Sequence, residues 1–232
     1  MTANNIFESR KLYNNVNNKL LEFYNFENKI LDIGCGTGLI DREIKKINKK
    51  SYIVGVDISE EAIKIAKKYI DETYLLNLDN DKLPDFKNKF DIIILGDILE
   101  HLKRPDIFLS DLREYLNING KILLSVPNIA NWYIRLELLF GNFNYYDSGI
   151  LDKAHLRFFT YPSVCELISN ANFKISSFNF IRIQPNLSLI KKVCYKILFY
   201  NLLKCFLKIF KKGFKTFELD AVQLVFKIIK NE

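Results

Sequence analysis

Three glycines at every second position stand out in Ile30-Leu31-Asp32-Ile33-Gly34-Cys35-Gly36-Thr37-Gly38. A short apolar run ends at Gly34 and helical spacing resumes at Leu39, so the glycines lie in a strand-to-helix turn. Glycine there lets the backbone turn tightly and lets a ligand rest against bare peptide groups. A dinucleotide fingerprint, Gly-x-Gly-x-x-Gly, would need its third glycine where Leu39 stands. Asp57 ends the next apolar run, 19 residues beyond Gly38. A carboxylate at that place can accept hydrogen bonds from both hydroxyls of a ribose.

A second group lies further on. Gly96-Asp97-Ile98-Leu99-Glu100-His101-Leu102 follows another apolar run, and His155 lies in Asp152-Lys153-Ala154-His155-Leu156-Arg157-Phe158-Phe159-Thr160. Histidine titrates near neutrality, so His155 is a candidate general base or substrate ligand. Alternatively it caps the helix opening near Tyr161 or bonds a loop carbonyl. His101 carries the same choice, because a histidine opening a helix also serves by bonding backbone. Asp97 either binds a substrate hydroxyl or caps the following helix. Arg157 either clamps a phosphate or carboxylate or forms a surface ion pair. Trp132, Tyr133, Tyr145 and Tyr146 either wall a pocket or build a satellite core.

These residues need elements to hold them. Helical spacing is read at 6–25, 39–47, from Ser59 as N-cap through Ile70, and at 105–116, 130–140, 161–170 and 187–212. Apolar runs read as strands at 29–33, 52–56, 73–76, 90–95, 121–126, 173–183 and 219–229, with a turn at Asn119-Gly120. Strands alternating with helices of 10–12 residues predict a parallel sheet covered on both faces. Ligands of such sheets lie beyond the carboxyl ends of the strands, where both groups of residues fall.

Composition narrows the function. Hydrophobic residues make up 49% of 232, enough for one domain's core. Cys35, Cys165, Cys194 and Cys205 form no paired motif and there are two histidines, so no metal site and no disulfide framework is expected. A cytoplasmic setting fits that cysteine usage. No secretory leader is read at the start. The longest uncharged stretch, Ile122 to Ile134, is interrupted by Pro127 and is too short to span a membrane. The net charge of +7 is local: residues 1–186 balance at 24 basic and 24 acidic, while 187–217 hold eight lysines and no acid. This predicts no nucleic-acid partner. On a helical wheel Lys204, Lys208, Lys211 and Lys212 lie opposite Leu202, Leu203, Phe206, Leu207, Ile209 and Phe210. Such a helix suits peripheral contact with an anionic inner membrane face through 187–212, or docks on the sheet with its lysines in water.

The motifs resemble those of class I S-adenosylmethionine-dependent methyltransferases. Ile30 to Gly38 matches the family's first motif and Gly55-Val56-Asp57-Ile58-Ser59 its second. Leu78-Asp79-Asn80 matches the third, and Phe90 to Asp97 the fourth. The resemblance covers about residues 29–126. It implies a doubly wound, Rossmann-like α/β fold of seven strands, mostly parallel with the last antiparallel, and helices on both faces. It implies S-adenosyl-L-methionine as cofactor, held by Asp32, Gly34, Cys35, Gly36, Gly38, Asp57, Ile58, Leu78, Asp79 and Gly96. Asp57 would take the ribose and Asp79 the adenine amino group, with Asp81 as the alternative to Asp79.

Beyond Gly96 the chain resembles bacterial methyltransferases found with surface-polysaccharide enzymes, and methionine-biosynthesis W-type proteins. The run His155-Leu156-Arg157-Phe158-Phe159-Thr160 favours the first, while Glu100-His101 departs from the second. The resemblance implies one domain over 1–232, with a substrate-side insertion at 127–160 and a basic amphipathic helical insertion at 187–216. No Asn-Pro-Pro-Tyr signature follows strand four, which speaks against amino methylation of bases or glutamine. The expected acceptor is the hydroxyl of a sugar, sugar nucleotide or similar small polar metabolite in surface-glycan synthesis. The alternatives are a lipid or quinone hydroxyl at the membrane, and a non-catalytic subunit of another enzyme.

Overall fold

Alternate residues of each central strand bury on opposite faces of one sheet, as a sheet covered on both sides requires. Leu31, Ile33, Val54, Val56, Ile93 and Leu95 join one core cluster, and Ile30, Ile53, Ile92, Ile94 and Leu123 the other. The computed structural model describes residues 16–86, 89–182, 200–202, 204–209 and 215–231.

Seven strands make the sheet: β1 (Lys29–Ile33), β2 (Tyr52–Asp57), β3 (Glu72–Leu75), β4 (Phe90–Gly96), β5 (Leu116–Pro127), β6 (Phe173–Arg182) and β7 (Ala221–Lys230). Their order is β3-β2-β1-β4-β5-β7-β6. Strands β3, β2, β1, β4 and β5 pair in parallel, and β7 runs antiparallel to both β5 and β6. The expected doubly wound sheet with its last strand reversed is therefore what forms. Chain direction of the crossovers reverses between β1 and β4, so their carboxyl ends open the crevice in which such sheets bind ligands.

The helices are α1 (Asn18–Leu21), α2 (Leu39–Ile47), α3 (Glu60–Ala66), α4 (Pro105–Asp111), α5 (Trp132–Leu139), α6 (Tyr161–Asn170) and α7 (Phe217–Asp220). Ser59 caps α3 by accepting from the Ala62 N–H, as its place before two acids predicts. Thr160 and Ser163 form a reciprocal capping box on α6. Among the described residues no helix is long and apolar enough to cross a membrane.

Three expectations shift. The helix read over 6–25 falls partly outside the described residues. Where it is described, Asn17 caps α1 by accepting from Lys19 and Leu20 N–H, and the helix ends at Leu21. Phe26 at φ 59° cannot belong to a right-handed helix. Asn119-Gly120 is not a connecting turn. It belongs to an irregularity inside β5, where the register jumps from Phe90↔Leu116 to Ile92↔Lys121 and Asn117 Nδ2 donates to Asp91 Oδ1 at 2.6 Å. The last strand starts at Ala221 because Phe217–Asp220 forms a helical turn first. Of the basic stretch 187–216, residues 200–202 and 204–209 are helical; the remainder of that expectation lies outside the described residues, apart from Lys215 and Thr216.

Candidate functional site

The glycine turn is fixed from below and open above. Gly34, Gly36 and Gly38 have φ of 75°, 53° and 74°. Gly34 and Cys35 N–H both donate to Val56 O, at 2.8 and 3.1 Å, tying the turn to the end of β2. A Cβ on Gly34 would sit 2.9 Å from Ile98 Cδ1, whereas one on Gly36 would meet nothing within 4 Å. The Cys35 side chain drops into the core with Ile44, Ile53 and Ile70, so only its backbone can face a ligand. Burial, then the neighbouring Asp32, push its thiol well up, out of nucleophilic range.

Asp57 Oδ2 accepts from the Gly36 N–H and Oδ1 from the Ser59 N–H, each at 2.8 Å. Each carboxylate oxygen keeps a second lone pair. Next to it Ile58 is 67% exposed and offers an apolar surface. Asp79 Oδ1 accepts from the Lys103 N–H at 2.9 Å, whereas Asp81 Oδ2 turns back to the Asn77 N–H at 2.8 Å. Asp79 is thus tied to the loop after β4, and Asp81 only closes its own turn. Leu78 packs against the core under this loop. Gly96 ends β4 with space beside it, since a Cβ there would lie 3.7 Å from Leu20 Cδ1.

Beneath the turn, Asp32 and Asp41 are buried together, and Asp41 finds no hydrogen-bond donor among the described residues. Burial raises both carboxyls; Asp41 pushes Asp32 up further, while its hydrogen bond to Asp32 holds Asp41 back. Asp41 is pushed up to about 7 and Asp32 is also raised. A raised folded-state value means stability present below the unfolded value and lost as pH rises through 7. Asp41→Asn, which offers Asp32 a permanent donor, should therefore raise the melting temperature at pH 8 by roughly 2–4 °C or more. The gain should shrink as pH falls toward 5, and thermal scans at both pH values check this.

The second group gathers across two loops. Asp97, at φ 53°, turns the chain after β4. Its Oδ1 accepts from Ser125 Oγ at 3.0 Å, Gln223 Nε2 donates to its Oδ2, and Gln223 Oε1 accepts from Asn17 at 3.0 Å. Burial raises the Asp97 carboxyl, and these two donors oppose that shift. Both oxygens thus join β4, β5, β7 and the start of α1, a positioning task.

Leu99–His101 forms a short 3-10 turn. Glu100 O accepts from Leu156 and Arg157 N–H at 2.8 and 3.0 Å, and Arg157 Nη2 donates to Lys103 O at 2.6 Å. That clamp brings His155 onto His101, with ring centroids 4.8 Å apart. His101 Nδ1 lies 3.2 Å from Ala154 O and His155 Nδ1 3.0 Å from Ile150 O. Both rings thus donate Nδ1–H to loop carbonyls, so Nε2 is the nitrogen each has left for another group. Desolvation lowers the His155 imidazole, so it is neutral at pH 7. Glu100 is 1% exposed, and its carboxyl is pushed well up by burial and by Asp97. In the run Gly96 to Leu102 nothing in the sequence gives Glu100 a task of its own, because its burial is not visible there.

Tyr133, Ile134 and Leu151 form a satellite core with Trp132, Tyr146 and Phe158, while Tyr145 stays 49% exposed. Asn131 caps α5 on Tyr133 and Ile134 N–H, and Asn128 Nδ2 holds Glu218 O and Ala221 O, both at 2.9 Å. These buried amides fix residues 128–135 at the carboxyl end of β5.

Residues 8–177 match the family described as Methyltransferase domain. The chain belongs to this methyltransferase family. It is 33% identical over 106 residues to the mitochondrial ubiquinone biosynthesis O-methyltransferase of Schizosaccharomyces pombe, covering 42% of this chain and 37% of that one. It is 38% identical over 102 residues to the ribosomal protein L11 methyltransferase of Lactobacillus johnsonii, covering 41% and 30%. These matches span well under half the length of either relative. A SAM-dependent methyltransferase structure from Archaeoglobus fulgidus superposes with a TM-score of 0.62 at 18% identity, covering 97% of this chain and 96% of that one, which shows the shared fold.

The cofactor of this methyltransferase is S-adenosylmethionine, and the chain's residues fit it. The positive-φ turn leaves bare peptide at Gly36, Asp57 offers two oxygens, and Ile58 offers an apolar face. The sulfonium supplies a methyl group already activated for transfer. The protein must hold it in line with an acceptor atom and exclude water. Gly36→Ala should cost only about 1–2 kcal/mol of stability from the left-handed backbone. Its new methyl enters the open face of the turn, so S-adenosylhomocysteine affinity should drop at least about tenfold. Thermal scans and calorimetric titration on one sample separate the two effects.

Proposed function

We propose that this methyltransferase methylates a hydroxyl oxygen on a small, largely apolar acceptor of the quinone or lipid type. The observation that carries the reading is the pair of imidazoles, His101 and His155, at the carboxyl end of β4 with both Nδ1 atoms tied to backbone carbonyls. Each can accept a hydrogen bond from a hydroxyl at Nε2, whereas an ammonium acceptor would favour a carboxylate open to the site. Exposed apolar surface is available at the end of α5, where Leu138, Leu139 and Phe140 are 48%, 65% and 71% exposed. The S. pombe relative is named for O-methylation in ubiquinone biosynthesis, which favours this acceptor class over the glycan hydroxyl expected from the run at 155–160.

The segment 200–209 supports a membrane-surface setting. Leu202, Phe206 and Ile209 recur at helical spacing and are 61%, 55% and 69% exposed, with Lys204 and Lys208 on the other side. Tyr200 stacks edge-on against Trp132 at 6.1 Å, which holds the segment against α5.

The test offers the enzyme and S-adenosylmethionine a prenylated catechol, a uridine diphosphate sugar and a ribosomal protein fraction, and maps the added methyl by mass spectrometry. Methyl ether on the catechol supports the reading; methyl on the sugar or on protein amines overturns it. Co-sedimentation with anionic phospholipid vesicles, reduced at least about fivefold in Lys204→Glu/Lys208→Glu, supports the surface setting. Equal sedimentation of both proteins contradicts it.

A further inference from the structure

Glu100 poses a problem that its neighbours do not solve. Its carboxylate is 1% exposed, and neither oxygen has a hydrogen-bond partner among the described residues. A buried carboxyl is ordinarily matched by donors or by a positive charge. The groups facing it are the imidazoles of His101 and His155, and one ligand atom from each of the three residues lies within 4.8 Å of the others. With both Nδ1 atoms held by Ala154 O and Ile150 O, Nε2 is the nitrogen that each imidazole has left to offer a ligand. Two imidazoles and one carboxyl group, each able to offer an electron pair, thus converge at one place.

We propose that Glu100, His101 and His155 bind a single divalent transition-metal cation. The donor set, two imidazole nitrogens and one carboxylate oxygen, selects zinc, cobalt, nickel or iron(II) over magnesium or calcium, which prefer all-oxygen shells. The support is already in place. Each histidine donates its other nitrogen to a backbone carbonyl, the arrangement that orients metal-bound imidazoles. The two loops that carry the ligands are pinned to one another by the Leu156 and Arg157 N–H groups on Glu100 O. Metal bonds of about 2.0–2.2 Å put ligand atoms roughly 3.2–3.5 Å apart, so closure on the ion asks for side-chain shifts of about 1 Å. His101 is the half-exposed member, which leaves one side of the site open. The proposal departs from the expectation of no metal site, because both of the chain's histidines meet at one place.

The consequence for chemistry rests on the acceptor being a hydroxyl. Its oxygen occupies the open position, and its proton leaves to water. The new O–C bond forms as the C–S bond of the donor breaks, and the sulfur departs as a neutral thioether. The cation site itself stands on the three side chains alone.

The experiment titrates the full chain, stripped with a chelator, with cobalt(II) and follows visible absorption. One cobalt per chain, with bands of a four- or five-coordinate nitrogen–oxygen site that zinc displaces, is expected. His155→Ala and Glu100→Gln should each weaken binding about 10–100-fold or more, while S-adenosylhomocysteine titration shows both variants still folded. Cobalt binding no tighter in the native chain than in the His101→Ala/His155→Ala variant overturns the proposal. Methyl ether formation that depends on His155 in chelator-stripped enzyme also overturns it, and leaves the hydroxyl reading intact. Cobalt bound as expected beside methyl transfer to nitrogen upholds the cation site and rejects only the hydroxyl reading.

Discussion

Replacing Asp57 with alanine should weaken S-adenosylhomocysteine binding by at least about a hundredfold. The carboxylate is the acid nearest the open glycine turn, and each oxygen already accepts one backbone N–H with a lone pair to spare. Two hydrogen bonds from ribose hydroxyls to a charged acceptor are worth roughly 1.5–3 kcal/mol each. Their joint loss exceeds 2.7 kcal/mol, which is about a hundredfold in affinity. The fold should survive, because Asp57 is half-exposed and water can take over the Gly36 and Ser59 N–H groups. Asp57→Asn keeps one acceptor oxygen and should fall between. Calorimetric titration of the three proteins gives the order directly; affinity within about threefold of the native chain in Asp57→Ala would remove Asp57 from the site.

The second large effect belongs to His155. Its alanine variant should lose about 10²–10³ in kcat, whether the imidazole takes the hydroxyl proton directly or holds the cation that makes that proton easier to lose. Binding of S-adenosylhomocysteine should change by less than about twofold, because nothing in the glycine turn touches the ring. The ring is 6% exposed and packs on Phe158 at 6.4 Å, so some stability goes with it, on the order of 1–2 kcal/mol. Steady-state rates with a prenylated catechol, beside thermal scans, separate the two losses. A melting temperature reduced by a few degrees with unchanged kcat would leave His155 a structural residue that bonds Ile150 O and nothing more.

Much of this architecture was legible in order along the chain. Strands buried on both faces read as unbroken apolar runs, which is why Ile30–Ile33 and Phe90–Leu95 were placed within a residue or two. Glycine spacing and the acid at a strand end located the cofactor turn because backbone geometry demands those residue types. Signals that depend on the third dimension did not show. Asp41 reads as an ordinary acid in the first turn of a helix, yet it is buried on Asp32. Glu100 reads as the polar member of a helical turn, yet the loop that joins it, at Leu156, comes 56 residues later. The irregularity in β5 reads as a turn because Asn119-Gly120 carries turn chemistry wherever the chain bends, inside a strand or between elements. His155 was singled out by residue type alone; that it meets His101 follows from the Glu100 clamp, which no spacing announces.

A crystal structure of the chain with S-adenosylhomocysteine tests the central claim most directly. The account predicts ribose hydroxyls on Asp57, adenine against Ile58 and Asp79, and the sulfur facing the space before His101 and His155. An acceptor oxygen there could then stand about 3–3.5 Å from the methyl carbon. A ligand whose sulfur points toward β3, away from both histidines, would contradict it.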